Sequence, residues 1–164
     1  YAMQKYYGEV CCKTFSEVYG IETVSLRYFN VYGERQSLDG AYPLVMCVFA
    51  KQRLENKPLT IRGDGYQKRD FTHVFDIANA NYLAMNSNKV GRGEVINIGN
   101  SDNRSVNDIA EMMGGPKVFI DPVIEPRETL ADNTKAKELL GWRPTIKIED
   151  WVPKYKKQLN IKDE

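Results

Sequence analysis

The 164-residue sequence is short of histidine, of cysteine and of net charge, and each shortage removes a class of function. Its one histidine, His73, has no second imidazole with which to hold a metal or complete a catalytic triad, and reads as a structural polar residue. The three cysteines, Cys11, Cys12 and Cys47, are odd in number and include an adjacent pair. They give neither a disulfide framework nor a zinc spacing, so reduced thiols in a cytoplasmic protein are expected. Lys plus Arg number 23 and Asp plus Glu 22, which leaves no field of one sign to attract nucleic acid, although a local phosphate site stays open. No apolar run approaches the ~20 residues of a membrane span, and the first residues do not read as a signal peptide. A dinucleotide fingerprint is missing as well. Gly63-Asp64-Gly65 lacks a third glycine and opens no helix, and Gly91-Arg92-Gly93 fails in the same way.

What is present alternates between helix and strand patterns. Ala2 to Tyr19 reads as a helix stopped by Gly20, and Glu22 to Tyr28 as a strand. A loop is expected from Phe29 to Gly40, with an Asp39-Gly40 turn, followed by a helix from Tyr42 to Glu55. Leu59 to Arg62 reads as a short strand closed by Gly63-Asp64-Gly65, and Arg69 to Val74 is β-like. Asp76 is placed to cap a helix running to Asn86. Val95 to Ile98 has the look of a buried strand, and Ser105 with Asp108 forms a variant capping box. Val118 to Ile120 completes the strands; Asp132 is expected to cap a helix ending at Gly141, and Ile148 to Leu159 forms the last helix. The fold class is therefore α/β, with strands too short and loops too long for a complete doubly wound sheet.

Tyr1 and Lys5 lie four apart on the first helix and so share a face. A tyrosine titrates near ~10 in water. A neighbouring ammonium favours the phenolate, so the pair can move a proton on and off a hydroxyl. Taken alone, this spacing occurs in many helices that do no chemistry. The downstream order is more informative. Leu26-Arg27-Tyr28-Phe29-Asn30-Val31-Tyr32-Gly33 is followed by Arg62-Gly63-Asp64-Gly65-Tyr66-Gln67-Lys68-Arg69-Asp70-Phe71-Thr72-His73-Val74. Asn97-Ile98-Gly99, Leu130-Ala131-Asp132-Asn133-Thr134-Lys135-Ala136 and Leu140-Gly141-Trp142-Arg143-Pro144 come next.

In this order the motifs resemble the extended short-chain dehydrogenase/reductases that act on nucleotide sugars, and most closely the UDP-glucose 4-epimerase group. The resemblance runs from Tyr1 to about Trp151. It implies a carboxy-terminal half: residues 1–31 as the tail of an NAD-binding Rossmann domain, with the strand near 95–98 returning to it. Residues 32–164 would mainly form the nucleotide-sugar-binding domain. The glycine-rich turn and the catalytic Ser or Thr of the family precede Tyr1, so a fragment that binds NAD weakly is expected. The complete enzyme is expected to dimerise through the Tyr1 helix and the helix before it, which leaves apolar surface exposed on this chain.

The resemblance also implies roles. Tyr1 is the base for the sugar 4-hydroxyl, Lys5 tunes it and meets the nicotinamide ribose, and Phe29 lies against the nicotinamide. Asn30 and Gln36 meet the sugar side, and Leu44 and Val45 meet the nucleotide through their backbone. Thr60 and Arg62 surround the base, with Arg62 standing where many relatives carry an aromatic. Arg69 clamps the diphosphate, as a permanently charged bidentate donor can. From the residues alone, Asn30 is equally a turn former, Leu44 and Val45 core residues, and Arg69 a solvated cation. The family's second diphosphate arginine is replaced by Pro122, while its acid near the ribose is retained as Glu125; Arg127 is close enough to substitute. The implied substrate is a UDP-hexose and the implied reaction 4-epimerisation through a transient 4-keto sugar. A 4,6-dehydratase or decarboxylase is the alternative within the class, and a non-catalytic UDP-sugar-binding fragment the alternative outside it.

Overall fold

A computed structural model describes residues 1–38 and 43–162. Helix α1 (Ala2–Tyr19) ends where Gly20 adopts a left-handed conformation, φ 66°, and its N–H returns to the Ser16 carbonyl. Strand β1 (Thr23–Tyr28) then runs parallel to β6 (Arg92–Ile98), which starts three residues earlier than the sequence pattern indicates. Alternation divides the faces of this pair. On one, the Thr23 hydroxyl donates to the Cys12 carbonyl and Arg27 holds Glu9, both on α1. On the other, Val24, Leu26, Ile96 and Ile98 pack with Ile77, Ala80, Ala136, Leu140 and Trp142. These come from α3 (Val74–Asn86), α5 (Thr134–Leu140) and the turn beyond it. Helix α1 approaches β6 so closely that a Cβ at Gly93 would sit 2.6 Å from the Lys13 Cα. No residue of α1 is buried, and Tyr1, Met3, Tyr7 and Val18 are largely exposed. The expected apolar surface is there.

A second core joins α2 (Val45–Leu54), β3 (Leu59–Arg62), α4 (Val106–Met113) and α6 (Ile148–Gln158). Phe49, Leu59, Ile61, Ile109, Met113 and Val152 are wholly enclosed within it. Strand β3 pairs in parallel with β8 (Lys117–Ile120), whose own residues are exposed. Two short pairings link the cores. β2 (Val31–Tyr32) runs parallel to β5 (Thr72–His73), and β4 (Lys68–Asp70) antiparallel to β7 (Asn103–Ser105). Among the described residues the strands thus form four two-stranded sheets.

Several expectations need correction. The loop begun at Phe29 contains β2, and the β-like run from Arg69 breaks at Phe71 into β4 and β5, with Val74 already helical. Strand β7 carries no periodic signal and was not expected. The second helix starts at Val45, Pro43 and Leu44 being non-helical; Tyr42 and the Asp39-Gly40 turn lie outside the described residues. Asp76 is not the cap of α3. His73 is, its ring Nδ1 accepting from the Phe75 N–H, while Asp76 is buried and accepts from Thr145 and Ile146. Asn133 occupies the cap position of α5, although the Asp132 carboxylate still accepts from the Thr134 N–H. The Ser105–Asp108 capping box forms as read.

Asp70 fastens the two cores together. Its carboxylate, with no solvent exposure, accepts from the N–H groups of Asn100, Ser101 and Ala131 at 2.7, 2.9 and 3.1 Å. Burial pushes its pKa up while these donors pull it back. Gly99 leaves room for this junction: a Cβ there would lie 2.3 Å from the Ala131 Cβ.

Candidate nucleotide-sugar site

A cavity of about 660 Å³ opens between the amino-terminal end of α2, β3 and β4. Seven residues singled out in the sequence line it: Asn30, Leu44, Val45, Thr60, Arg62, Arg69 and Glu125. They arrive from distant points of the chain. Asn30 follows β1, and its side-chain N–H donates to the Asp70 carbonyl at 2.9 Å. Leu44 is the cap residue of α2 and Val45 its first residue, so the unpaired N–H groups of a helix start are at hand. Thr60 and Arg62 project from the face of β3 opposite Leu59 and Ile61, which are sealed in the core.

Arg69 supplies the cavity's cationic fork. One terminal nitrogen donates to the Lys68 carbonyl at 2.7 Å and the other is paired with the Glu125 carboxylate. The other oxygen of Glu125 accepts from Gln67, whose amide also donates to the Arg62 carbonyl at 3.1 Å. Gln67 is buried and lines the cavity together with Pro43, Val48, Phe49 and Ile120; none of these was picked out from the sequence. A glutamine inside a glycine- and charge-rich turn was the only available signal for Gln67.

Other expected site residues lie elsewhere. Tyr1 and Lys5 do not line this cavity; the Lys5 ammonium stands 5.3 Å from the centroid of the Tyr1 ring, and Tyr1 is 87% exposed. Phe29 is half-buried beyond β1, its N–H bonded to the Ile98 carbonyl. Gln36 donates to the Val31 carbonyl and is likewise not a lining residue. Arg127 borders a smaller neighbouring cavity of about 290 Å³, which shares Arg62, Gln67 and Glu125 with the first. There it grips Asp64 through two hydrogen bonds of 2.8 and 2.9 Å.

That grip has a pH signature. The Arg127 guanidinium, helped by the Tyr66 N–H, holds the Asp64 carboxyl down at about 2. A depressed folded pKa adds stability above the unfolded value of ~3.9, and this is lost as pH falls through about 2. Both side chains are exposed and screened, so the effect on stability is small. An NMR titration of the Asp64 carboxyl reads it directly, and Arg127→Ala should raise the midpoint. An unmoved midpoint would dismiss the pair.

Among the described residues no cluster of His, Cys, Asp and Glu could hold a metal, and no helix is long and apolar enough to cross a membrane.

Comparison with known proteins identifies the class of this α/β chain. The NAD dependent epimerase/dehydratase family model matches residues 1–99, and the chain belongs to that family. It is similar to a putative UDP-glucose 4-epimerase of Methanocaldococcus jannaschii, 37% identical over 158 residues that span 93% of this chain and 50% of the relative. UDP-glucuronic acid decarboxylase 3 of Arabidopsis thaliana is 34% identical over 145 residues, 82% of this chain and 40% of that protein. The crystal structure of a Bacillus cereus UDP-glucuronic acid 4-epimerase, in complex with UDP-glucuronic acid and NAD, superposes with a TM-score of 0.81 at 40% identity. That match covers 93% of this chain and 50% of the other. The chain spans about half the length of the curated relatives it matches.

Proposed function

We propose that this chain carries the nucleotide-sugar grip and the catalytic Tyr-Lys pair of an NAD-dependent nucleotide-sugar 4-epimerase acting on a UDP-hexose. The convergence of Asn30, Leu44, Val45, Thr60, Arg62, Arg69 and Glu125 on one cavity carries the reading. In it, Arg69 and the α2 amino terminus receive the diphosphate, a charge that helix N–H groups and a guanidinium both favour. Glu125 moves from Arg69 to the ribose, Thr60 and Arg62 flank the base, and Asn30 meets the sugar side. Arg127 would join as a second diphosphate contact by exchanging Asp64 for a phosphate. Residues 1–31 and the β6 strand act with the cofactor, residues 32–164 mainly with the substrate, and the complete enzyme is a homodimer.

Towards NAD, the residues in hand fit one end only. Tyr1 and Lys5 share a helix face and Phe29 sits at the end of β1, but these 164 residues hold no glycine-rich turn for the pyrophosphate. When bound, NAD supplies a reversible hydride acceptor. The protein's part is acid–base work: Tyr1, with Lys5 on the same helix face, takes the proton from the sugar 4-hydroxyl and later returns it.

The similarity to a UDP-glucuronic acid decarboxylase sustains a second reading, in which the same pair serves a decarboxylase or dehydratase. A third, of another class, is a binding fragment without turnover. Calorimetric titration tests the common part. UDP should bind the chain with one-to-one stoichiometry and NAD only weakly. No heat with UDP would sink the cavity assignment, and tight NAD binding would show that a cofactor site had been overlooked. Conversion of UDP-glucose to UDP-galactose by the chain with added NAD would eliminate the fragment reading.

A further inference from the structure

Among the described residues, strand β3 pairs with another strand along one edge only. Leu59 and Gly63 donate to Pro116 and Ile120 on the β8 side. In a parallel ladder alternate residues bond to the same neighbour, so the Thr60 N–H points to the opposite edge. A side chain meets it there. Gln52 of α2 accepts from the Thr60 N–H at 3.1 Å and donates from Nε2 to the Thr60 hydroxyl oxygen at 2.7 Å.

This arrangement has a fixed polarity. A backbone N–H can only donate, so the amide atom facing it must be the oxygen of Gln52, and Nε2 must face the hydroxyl. Nε2 has only protons to give, so the Thr60 oxygen serves as acceptor there and its own proton turns elsewhere. Among the described residues no group accepts that proton. Thr60 lines the cavity with Arg62, beside the apolar side chains of Leu44, Val45 and Val48. A planar ring with a polar edge suits such a slot.

From this polarity we infer that Gln52, itself outside the cavity lining, is a positioning residue that commits the Thr60 hydroxyl to donate into the cavity. The site thereby selects a ring that presents a carbonyl rather than an amino group at that edge. The inference rests on the nucleoside-diphosphate reading of the cavity given above. Among pyrimidines it means the keto edge of uridine over the amino edge of cytidine.

The test is the ratio of CDP to UDP dissociation constants, measured by calorimetry on the full chain. The parent should prefer UDP by roughly three- to tenfold, the worth of one neutral hydrogen bond. Gln52→Glu keeps an acceptor for the Thr60 N–H but has no proton for the hydroxyl. The hydroxyl then donates to the new carboxylate and turns its lone pairs to the cavity. The added charge weakens both nucleotides alike and cancels in the ratio, which should fall to one or reverse. Thr60→Val should bring the ratio near one and Thr60→Ser should preserve it; circular dichroism checks that each variant is folded. An unchanged ratio in folded Gln52→Glu overturns the inference alone. If that variant does not fold, an unchanged ratio in Thr60→Val does the same. Failure of the parent to bind either nucleotide removes the cavity reading and this inference with it.

Discussion

Replacing Arg69 with alanine should weaken UDP binding by roughly ten- to a hundredfold, the largest binding effect expected of any single side chain in the cavity. Arg69 is the cavity residue best fitted to a diphosphate. Its guanidinium is always charged, its fork is held by the Lys68 carbonyl, and only 16% of its side chain is exposed. Charge-assisted hydrogen bonds contribute about 1.5–3 kcal/mol each. Alanine would also remove the cation that offsets the Glu125 carboxylate in this cavity, which leaves a net negative site for an anionic ligand. Arg69→Lys keeps the charge but loses the planar fork, so it should recover only part of the affinity. Calorimetry with UDP and with uridine separates the terms, because uridine lacks the diphosphate and should be little affected. Equal losses for the two ligands would place Arg69 away from the phosphates.

The largest stability effect should come from Asp70→Ala, about 3–5 kcal/mol of unfolding free energy. The substitution removes one acceptor from three backbone N–H groups at once, those of Asn100, Ser101 and Ala131. Asp70→Asn offers one oxygen to the three donors and turns an NH₂ towards at least one of them. It should lose about half as much. Urea unfolding followed by circular dichroism measures both. A midpoint shift worth less than about 1 kcal/mol in the alanine variant would show that water satisfies these donors and that Asp70 is dispensable.

How far the sequence discloses all this depends on distance along the chain. Long elements were readable because their signals are local: Gly20 behind α1, Ser105 and Asp108 around the start of α4, the apolar Val95–Ile98 run. Asn30 and Arg69 could be singled out because they sit inside ordered motifs, and Thr60 because it lies two residues ahead of one. What joins them could not. The partner of Arg69 is Glu125, 56 residues on, and Asp70 reaches Ala131 across 61. Strands of two or three residues, β2 and β7, are too short for a period to register. Asp76 misled for a related reason. An acid just inside a helix start ordinarily reads as a cap, but here the cap is a buried histidine ring, and the acid anchors Thr145 and Ile146, 69 and 70 residues away. Gln52 carried no local signal at all; its role exists only once β3 lies alongside α2.

The pairing of the strands has a kinetic side. No described strand pairs with the strand next to it in sequence: β1 meets β6, β2 meets β5, β3 meets β8 and β4 meets β7. Val24, for instance, lies opposite Glu94. Every sheet therefore requires a loop of several tens of residues to close before its first ladder bond forms, and the entropy of closure is met before any contact offsets it. Hairpins, the fast local nuclei of many β proteins, are not available to these strands. Refolding should accordingly fall in the slow range for a chain of this size, on the order of milliseconds to seconds. The interleaved pairings also mean that a cut between β4 and β5 would separate all four pairs of partners, so this region would be expected to fold as one piece or not at all.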